Sequence, residues 1–140
     1  MRGQTREPQQ SWPVMARAAV LLGILTTVTS SHAAEFVCAA VDVGCVIASI
    51  TQGNDNGEAN TITLEAGTYA LTGLNNTASG ARNALPVITG KMTIHGAGID
   101  TTILQAQTAA RLLTVAAGGT LTVERLTLGV EDRATAQADS

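Results

Sequence analysis

Aromatic residues are almost absent from this chain of 140 residues. Phenylalanine, tyrosine and tryptophan make up 2% of the sequence, whereas apolar residues as a whole make up 45%. The single tryptophan, Trp12, lies near the N-terminus, ahead of the segment that we expect to fold. The core must therefore consist of aliphatic side chains. A small antiparallel sandwich is disfavoured, because it would carry more aromatic core residues and more hairpin dipeptides.

Positive charge is scarce in the part of the chain that follows residue 34. From Glu35 onward, five basic residues stand against ten acidic ones, which gives a formal charge of −5. Nucleic acids and anionic membrane surfaces both require a cationic footprint, so neither is expected as a partner. The basic residues are Arg82, Lys91, Arg111, Arg125 and Arg133.

The apolar run at residues 18–28 (AAVLLGILTTV) has the length of a signal-peptide core and is too short to cross a bilayer. Small residues follow it and predict cleavage after Ala33 or Ala34. Met15, with an arginine just behind it, is the expected true start of translation. Residues 1–34 are thus predicted to be a signal peptide region, with a retained anchor as the alternative. We expect a secreted, periplasmic or cell-surface protein without a stable membrane span in the mature chain.

Cysteine occurs twice, as Cys38 and Cys45, and both fall in the predicted exported part. An even count in an oxidising compartment favours a disulfide, which at this spacing would staple local structure. Two buried free thiols are the alternative. A metal site is disfavoured because two cysteines without a neighbouring histidine leave coordination incomplete.

An amphipathic helix is predicted over about residues 43–52. Asp42 stands at the N-cap position, apolar residues follow at the spacing i, i+3, i+4, i+7, and Gly53 is expected to end the helix. The helix should pack its apolar stripe onto the rest of the domain, with Ile47 buried. The stripe consists of Val43, Val46, Ile47 and Ile50.

From Thr61 onward, short segments alternate aliphatic residues with threonine, which predicts strands with one buried face. Met92 and Leu112 are 20 positions apart, and Ile103 and Leu121 are 18 apart. A period of about 20 residues is typical of solenoid repeats. The predicted strands lie near residues 62–64, 69–71, 92–94, 103–104, 112–115, 121–123 and 126–128.

Three motifs carry a resemblance to bacterial secreted proteins of the right-handed parallel β-helix repeat family, whose fold is shared with pectate lyases. They are residues 42–50 (DVGCVIASI), 59–71 (ANTITLEAGTYAL) and 92–98 (MTIHGAG). The resemblance spans about residues 36–129 and implies a helix that plugs the first coil. This chain departs from the family by stopping after about three coils.

We therefore predict an all-β fold: a right-handed parallel β-helix of about three coils over residues 35–129, with an N-terminal capping α-helix. The last residues, 130–140, are polar and lack periodicity, so we predict a disordered tail. Such a tail cannot cover the final coil. Self-association through residues 121–128 is expected as a result.

No catalytic, cofactor-binding or metal-binding residue is predicted. His95 should face solvent on its strand, and residues 54–58 (NDNGE) form a turn, since the carboxylates of a calcium loop are missing at its ends. The remaining charged residues at strand ends are interpreted as solvated. They are Glu65, Asp100, Glu124 and Arg125.

The expected function is structural or binding, in an adhesin-like or glycan-contacting role with an extracellular glycan or protein surface as partner. The alternative is the N-terminal fragment of an enzyme of the polysaccharide lyase or hydrolase type, whose catalytic carboxylates would lie outside this chain.

Overall fold

The computed structural model describes Gly3 and residues 32–131. Most of the predicted signal region, and the tail from residue 132 onward, lie outside the described residues. Within residues 32–131 the chain forms one helix and seven strands. In chain order these are β1 (Glu35–Cys38), α1 (Val43–Asp55), β2 (Ala59–Leu64), β3 (Gly67–Leu71), β4 (Lys91–Gly96), β5 (Thr102–Ala106), β6 (Thr120–Glu124) and β7 (Thr127–Val130).

The strands form two small sheets. The first sheet has the order β1-β2-β4-β6 and the second has the order β3-β5-β7, and every neighbouring pair is parallel. From β2 onward the chain alternates between the sheets. Because short corners join β2 to β3, β4 to β5 and β6 to β7, both sheets grow in the same direction and end side by side at β6 and β7.

The predicted all-β, right-handed parallel β-helix of about three coils with a capping helix is wrong. The structure has separate four-stranded and three-stranded parallel sheets with one helix of 13 residues, a mostly β fold with a helix. The predicted period of about 20 residues fails with it. Ile62 pairs with Ile94 and Ile94 pairs with Val123, steps of 32 and 29 residues.

The wrong period arose from the aliphatic segment at residues 112–115, which was predicted to be a strand. Leu112 is buried in the core, but its segment forms only isolated bridges, such as the one between Val115 and Ile88. A short apolar run marks burial without specifying whether the backbone joins a sheet. Counting it as a strand shortened the apparent repeat.

The strands of the first sheet confirm the prediction of one buried face. In β2, Ile62 and Leu64 are buried while Thr61 and Thr63 are partly exposed, as the two-residue period of a strand requires. β4 alternates in the same way. Threonine suits the outer positions, because a β-branched side chain packs well on a pleated surface and its hydroxyl remains hydrated.

One apolar core serves both sheets and the helix. Its largest side chains are aliphatic apart from Tyr69, as the composition predicts. Buried core residues include Val46, Ile50, Ile62, Leu64, Leu71, Leu85, Ile88, Met92, Ile94 and Leu104.

Helix α1 begins where the sequence predicts and ends three residues later than predicted. The side chain of Asp42 accepts a hydrogen bond of 2.9 Å from the backbone N–H of Cys45, which is the expected N-cap contact. Gly53 does not end the helix. It is buried, and a Cβ at this position would lie 2.9 Å from Cε of Met92, so glycine allows helix and strand to approach closely. The turn follows at Gly57, where φ is +72°.

Cys38 and Cys45 form the predicted disulfide, with 5.5 Å between their Cα atoms. The bond ties the end of β1 to the first turn of α1. The hydroxyl of Ser49, one turn further along the helix, lies 3.7 Å from the sulfur of Cys38 and 3.8 Å from that of Cys45. The disulfide is thus held within the packed junction between strand and helix.

Candidate functional site

The four residues predicted to form the apolar stripe of the helix all face the domain, but to different depths. Val46 and Ile50 are fully buried, whereas Val43 and Ile47 are only partly buried and pack against the core from its margin. The helix contacts the first four strands, β1–β4. The prediction that Ile47 is buried is therefore only partly met.

Val43 and Ile47 line an open apolar cleft of about 260 Å³ beside the end of β3. The other side chains that line it are mostly aliphatic or small, so the cleft presents no cluster of polar groups that would orient a substrate. The remaining lining residues are Ala70, Leu71, Thr72, Gly73, Leu74, Asn75 and Ala84.

His95 lies on the outer face of β4, as predicted, and pairs with a carboxylate of the next strand. Its Nδ1 is 3.4 Å from Oε2 of Glu124, with 37% and 54% of the two side chains exposed. An exposed pair of this kind contributes little stability. No group of three or more histidine, cysteine, aspartate or glutamate side chains suited to a metal ion occurs among the described residues.

Tyr69 carries a buried titratable group, and its hydroxyl is used for structure. It lies within 3.1 Å of the carbonyl oxygens of Ala39 and Glu65 and 3.3 Å from that of Cys38. Burial raises the pKa of Tyr69, and the negative charges of Glu65 and Asp42 raise it further. The neutral hydroxyl thus joins the corner after β2 to the residues that follow β1.

The end of the molecule formed by β6 and β7 differs from the rest in its burial. In the second sheet, Leu128 occupies the same inward position as the fully buried Leu104, yet it is 47% exposed. Val130 is aligned with the fully buried Ala106 and is 59% exposed. These side chains are exposed because no further strand lies beside β7 within the described part of the chain.

The first sheet ends in the same way. Leu121 and Val123 on β6 are aligned with the buried Met92 and Ile94, but both are only partly buried. We call the free edges of β6 and β7, with the inward-facing side chains of these two strands, the open edge. A strand edge presents unpaired backbone N–H and C=O groups, so the open edge combines backbone bonding capacity with apolar surface.

A second surface of regular chemistry is the outer face of the first sheet. Thr61, Thr93 and Thr122 are aligned side by side across β2, β4 and β6. Neighbouring strands are about 4.8 Å apart, so the three threonines form a short, evenly spaced row of hydroxyl-bearing side chains.

Two buried asparagines hold the loops that flank the strands, a role the sequence did not reveal. The side-chain amide of Asn60 donates to the carbonyl oxygen of Gly53 at 3.0 Å, and its oxygen accepts from the backbone N–H of Ala34 at 3.0 Å. The amide of Asn83 donates to Oδ1 of Asn76 at 2.7 Å. Turn-forming residues normally face solvent, so only tertiary structure reveals these contacts.

Comparison of the chain with models of protein families, with curated proteins and with solved structures found no match. The resemblance to the β-helix repeat family therefore stays an expectation. No helix within the described residues has the length and hydropathy to span a membrane. The disulfide between Cys38 and Cys45 is typical of an oxidising compartment.

Proposed function

We propose that this chain is an exported protein with a structural and binding role, which presents the open edge to another protein outside the cytoplasm. The observation that carries the proposal is the exposure of Leu128 and Val130 at positions whose aligned neighbours are fully buried. An apolar surface of this kind is costly in water, and it is a common feature of contact sites.

Export is supported by two independent features. The predicted signal region provides the route, and the disulfide between Cys38 and Cys45 is the kind of bond that persists in an oxidising environment. We place the mature protein in the periplasm, at the cell surface or in the medium. The deficit of positive charge in the same part of the chain is consistent with a partner other than nucleic acid.

Binding would follow the chemistry of strand addition. A strand of the partner would bond to the free backbone groups of β6 or β7, while its side chains would cover the aliphatic side chains beside them. The backbone bonds would supply affinity and the apolar contacts would supply specificity. No covalent chemistry is required of this chain.

The test is site-specific photo-crosslinking of the exported protein. The full chain is produced in a bacterial host, and its processing and export are checked by fractionation and intact mass. A photoreactive residue replaces Leu128 in one variant and Thr122, on the outer face of β6, in a matched control. We expect defined crosslinked species from position 128 and none of these from position 122. Equal crosslinking from both positions, or retention of the protein in the cytoplasm with both thiols free, would contradict the proposal.

Glycan contact is the second candidate, favoured by the aligned threonines on the outer face of the first sheet. Hydroxyl groups can donate and accept hydrogen bonds, as sugars require. The test compares binding of the wild type and of a triple variant, T61V/T93V/T122V, to an array of polysaccharides. Valine keeps the shape and strand preference of threonine, so loss of binding would implicate the hydroxyls. Undiminished binding by the variant would exclude this face.

A further inference from the structure

We propose that the partner at the open edge is a second copy of this chain, so that the exported protein forms a closed dimer with two-fold symmetry. The inference deepens the proposed function and rests on it for the location of the contact. It names one occupant, whose chemistry and geometry follow from the two ends of the molecule.

The open edge needs an aliphatic cover that residues 132–140 of the chain cannot supply. This segment, DRATAQADS, contains no valine, leucine, isoleucine, methionine or aromatic residue. The side chains to be covered include Leu128 and Val130 in the second sheet and Val123 in the first. A second open edge carries the same set of aliphatic residues, so each copy can cover the other.

The opposite end of the molecule is closed in the second sheet, which excludes a head-to-tail contact through both sheets. The residues that follow β1 lie against β3: a Cβ at Gly67 would come within 3.4 Å of atoms of Ala40 and Val41. Helix α1 also contacts β3. A partner that approached β7 with this end would therefore meet a loop and a helix, where it needs a free strand.

Pairing of two identical ends meets neither obstacle. Both strands of the open edge, β6 and β7, lie side by side in each copy, so a two-fold axis can bring the strands of one copy against those of the other. Such a contact is isologous and closes at two subunits. It hides both open edges and leaves none for further addition.

The charges near the open edge suit a contact of this surface with itself. Glu124 and Arg125 end β6, and Glu131 directly follows β7, so both signs are present and all three residues are exposed. In a two-fold contact each charge can face the opposite sign on the partner. A surface of one sign would repel its copy instead.

The test is sedimentation velocity of the exported wild-type protein over a wide range of concentration. We expect a monomer–dimer equilibrium. The variant L128K/V130K should be monomeric at concentrations at which the wild type is dimeric. The matched control, T120K/T122K, adds the same two charges at exposed positions of β6 that face away from the core, and it should dimerise like the wild type.

A second variant protects the test against loss of folding. L128T/V130T keeps β-branched side chains and removes most of the apolar surface, and a cooperative melt would show that it is folded. It should dissociate at least tenfold more readily than the wild type. A wild type that stays monomeric at all concentrations would overturn the second copy as partner, even if position 128 crosslinks to a different protein. Growth beyond a dimer would overturn the closed, two-fold arrangement.

Discussion

The hydroxyl of Tyr69 lies 3.1 Å from the carbonyl oxygen of Glu65, the residue that separates β2 from β3. The same hydroxyl lies 3.1 Å from the carbonyl oxygen of Ala39. A phenol has one proton to donate, so it is shared among neighbouring acceptors. The contact links the corner between the two sheets to the loop that precedes α1, and it depends on the hydroxyl remaining neutral.

We predict that this contact makes the fold sensitive to alkaline pH. The folded pKa of Tyr69 is raised above its ordinary value of 10.0, chiefly by burial. Its contribution is therefore fully present below pH 10 and is lost as the pH rises through the folded pKa, because the unfolded chain releases the proton more readily. Urea unfolding of the wild type and of Tyr69→Phe should show the variant about 1 kcal/mol less stable at neutral pH. The difference should shrink above pH 10. A constant difference across this range would contradict the assignment.

The buried amide of Asn60 should be worth more than its solvent-exposed counterparts. Asn60→Ala removes the acceptor of the Ala34 N–H and the donor to the carbonyl oxygen of Gly53, so we expect a loss of about 2–3 kcal/mol. Asn75→Ala, at an exposed position, is the control and should change stability by less than about 0.5 kcal/mol. Both follow from chemical denaturation. Equal effects would show that the Asn60 contacts are not retained in solution.

The apolar stripe of the helix should divide into a costly and a tolerant position. Ile50→Ala removes a fully buried side chain and should cost about 3 kcal/mol. Ile47→Ala acts at the margin of the cleft and should cost about 1 kcal/mol, because part of the side chain is already exposed to water. Thermal melts of the two variants provide the comparison. A larger effect at Ile47 than at Ile50 would be inconsistent with the observed packing.

The first residue of the mature chain should affect its stability. The backbone N–H of Ala34 donates to Asn60, and its carbonyl oxygen accepts a 3.0 Å hydrogen bond from the N–H of Thr61. A chain that begins at Glu35 lacks both bonds and should be about 1–2 kcal/mol less stable than one that begins at Ala34. A chain that begins at Ala33 is the control and should match the latter. No difference among the three would mean that Ala34 is frayed.

Local features of the fold could be predicted from the sequence, and pairing over long distances could not. Asp42 predicts its cap, and alternation predicts the inner and outer faces of β2, because each depends on neighbours within a few residues. The partner of Ile94 depends on which of several similar aliphatic segments joins the sheet, and residues 112–115 imitate a strand. Gly53 was misread for a related reason, since its close approach to Met92 is tertiary.

The same limit applies to the candidate site. The outward position of His95 could be predicted from alternation, and the disulfide from the count of cysteines and the compartment. Exposure of Val130 could not, because residues 130–140 were assigned to the tail and β7 includes this residue. Whether an aliphatic side chain is covered depends on the neighbouring strand, which composition does not specify.

The order of strands in the first sheet also bears on how the protein responds to force. β1 and β6 lie at opposite edges, and the bonds between parallel strands run roughly across them. Tension applied between residues 34 and 131 would load these bonds along their length, one ladder at a time. We expect the chain to extend in steps, with β6 and β7 detaching first, and the disulfide to prevent residues 38–45 from lengthening. Single-molecule stretching that shows one all-or-none rupture would contradict this order.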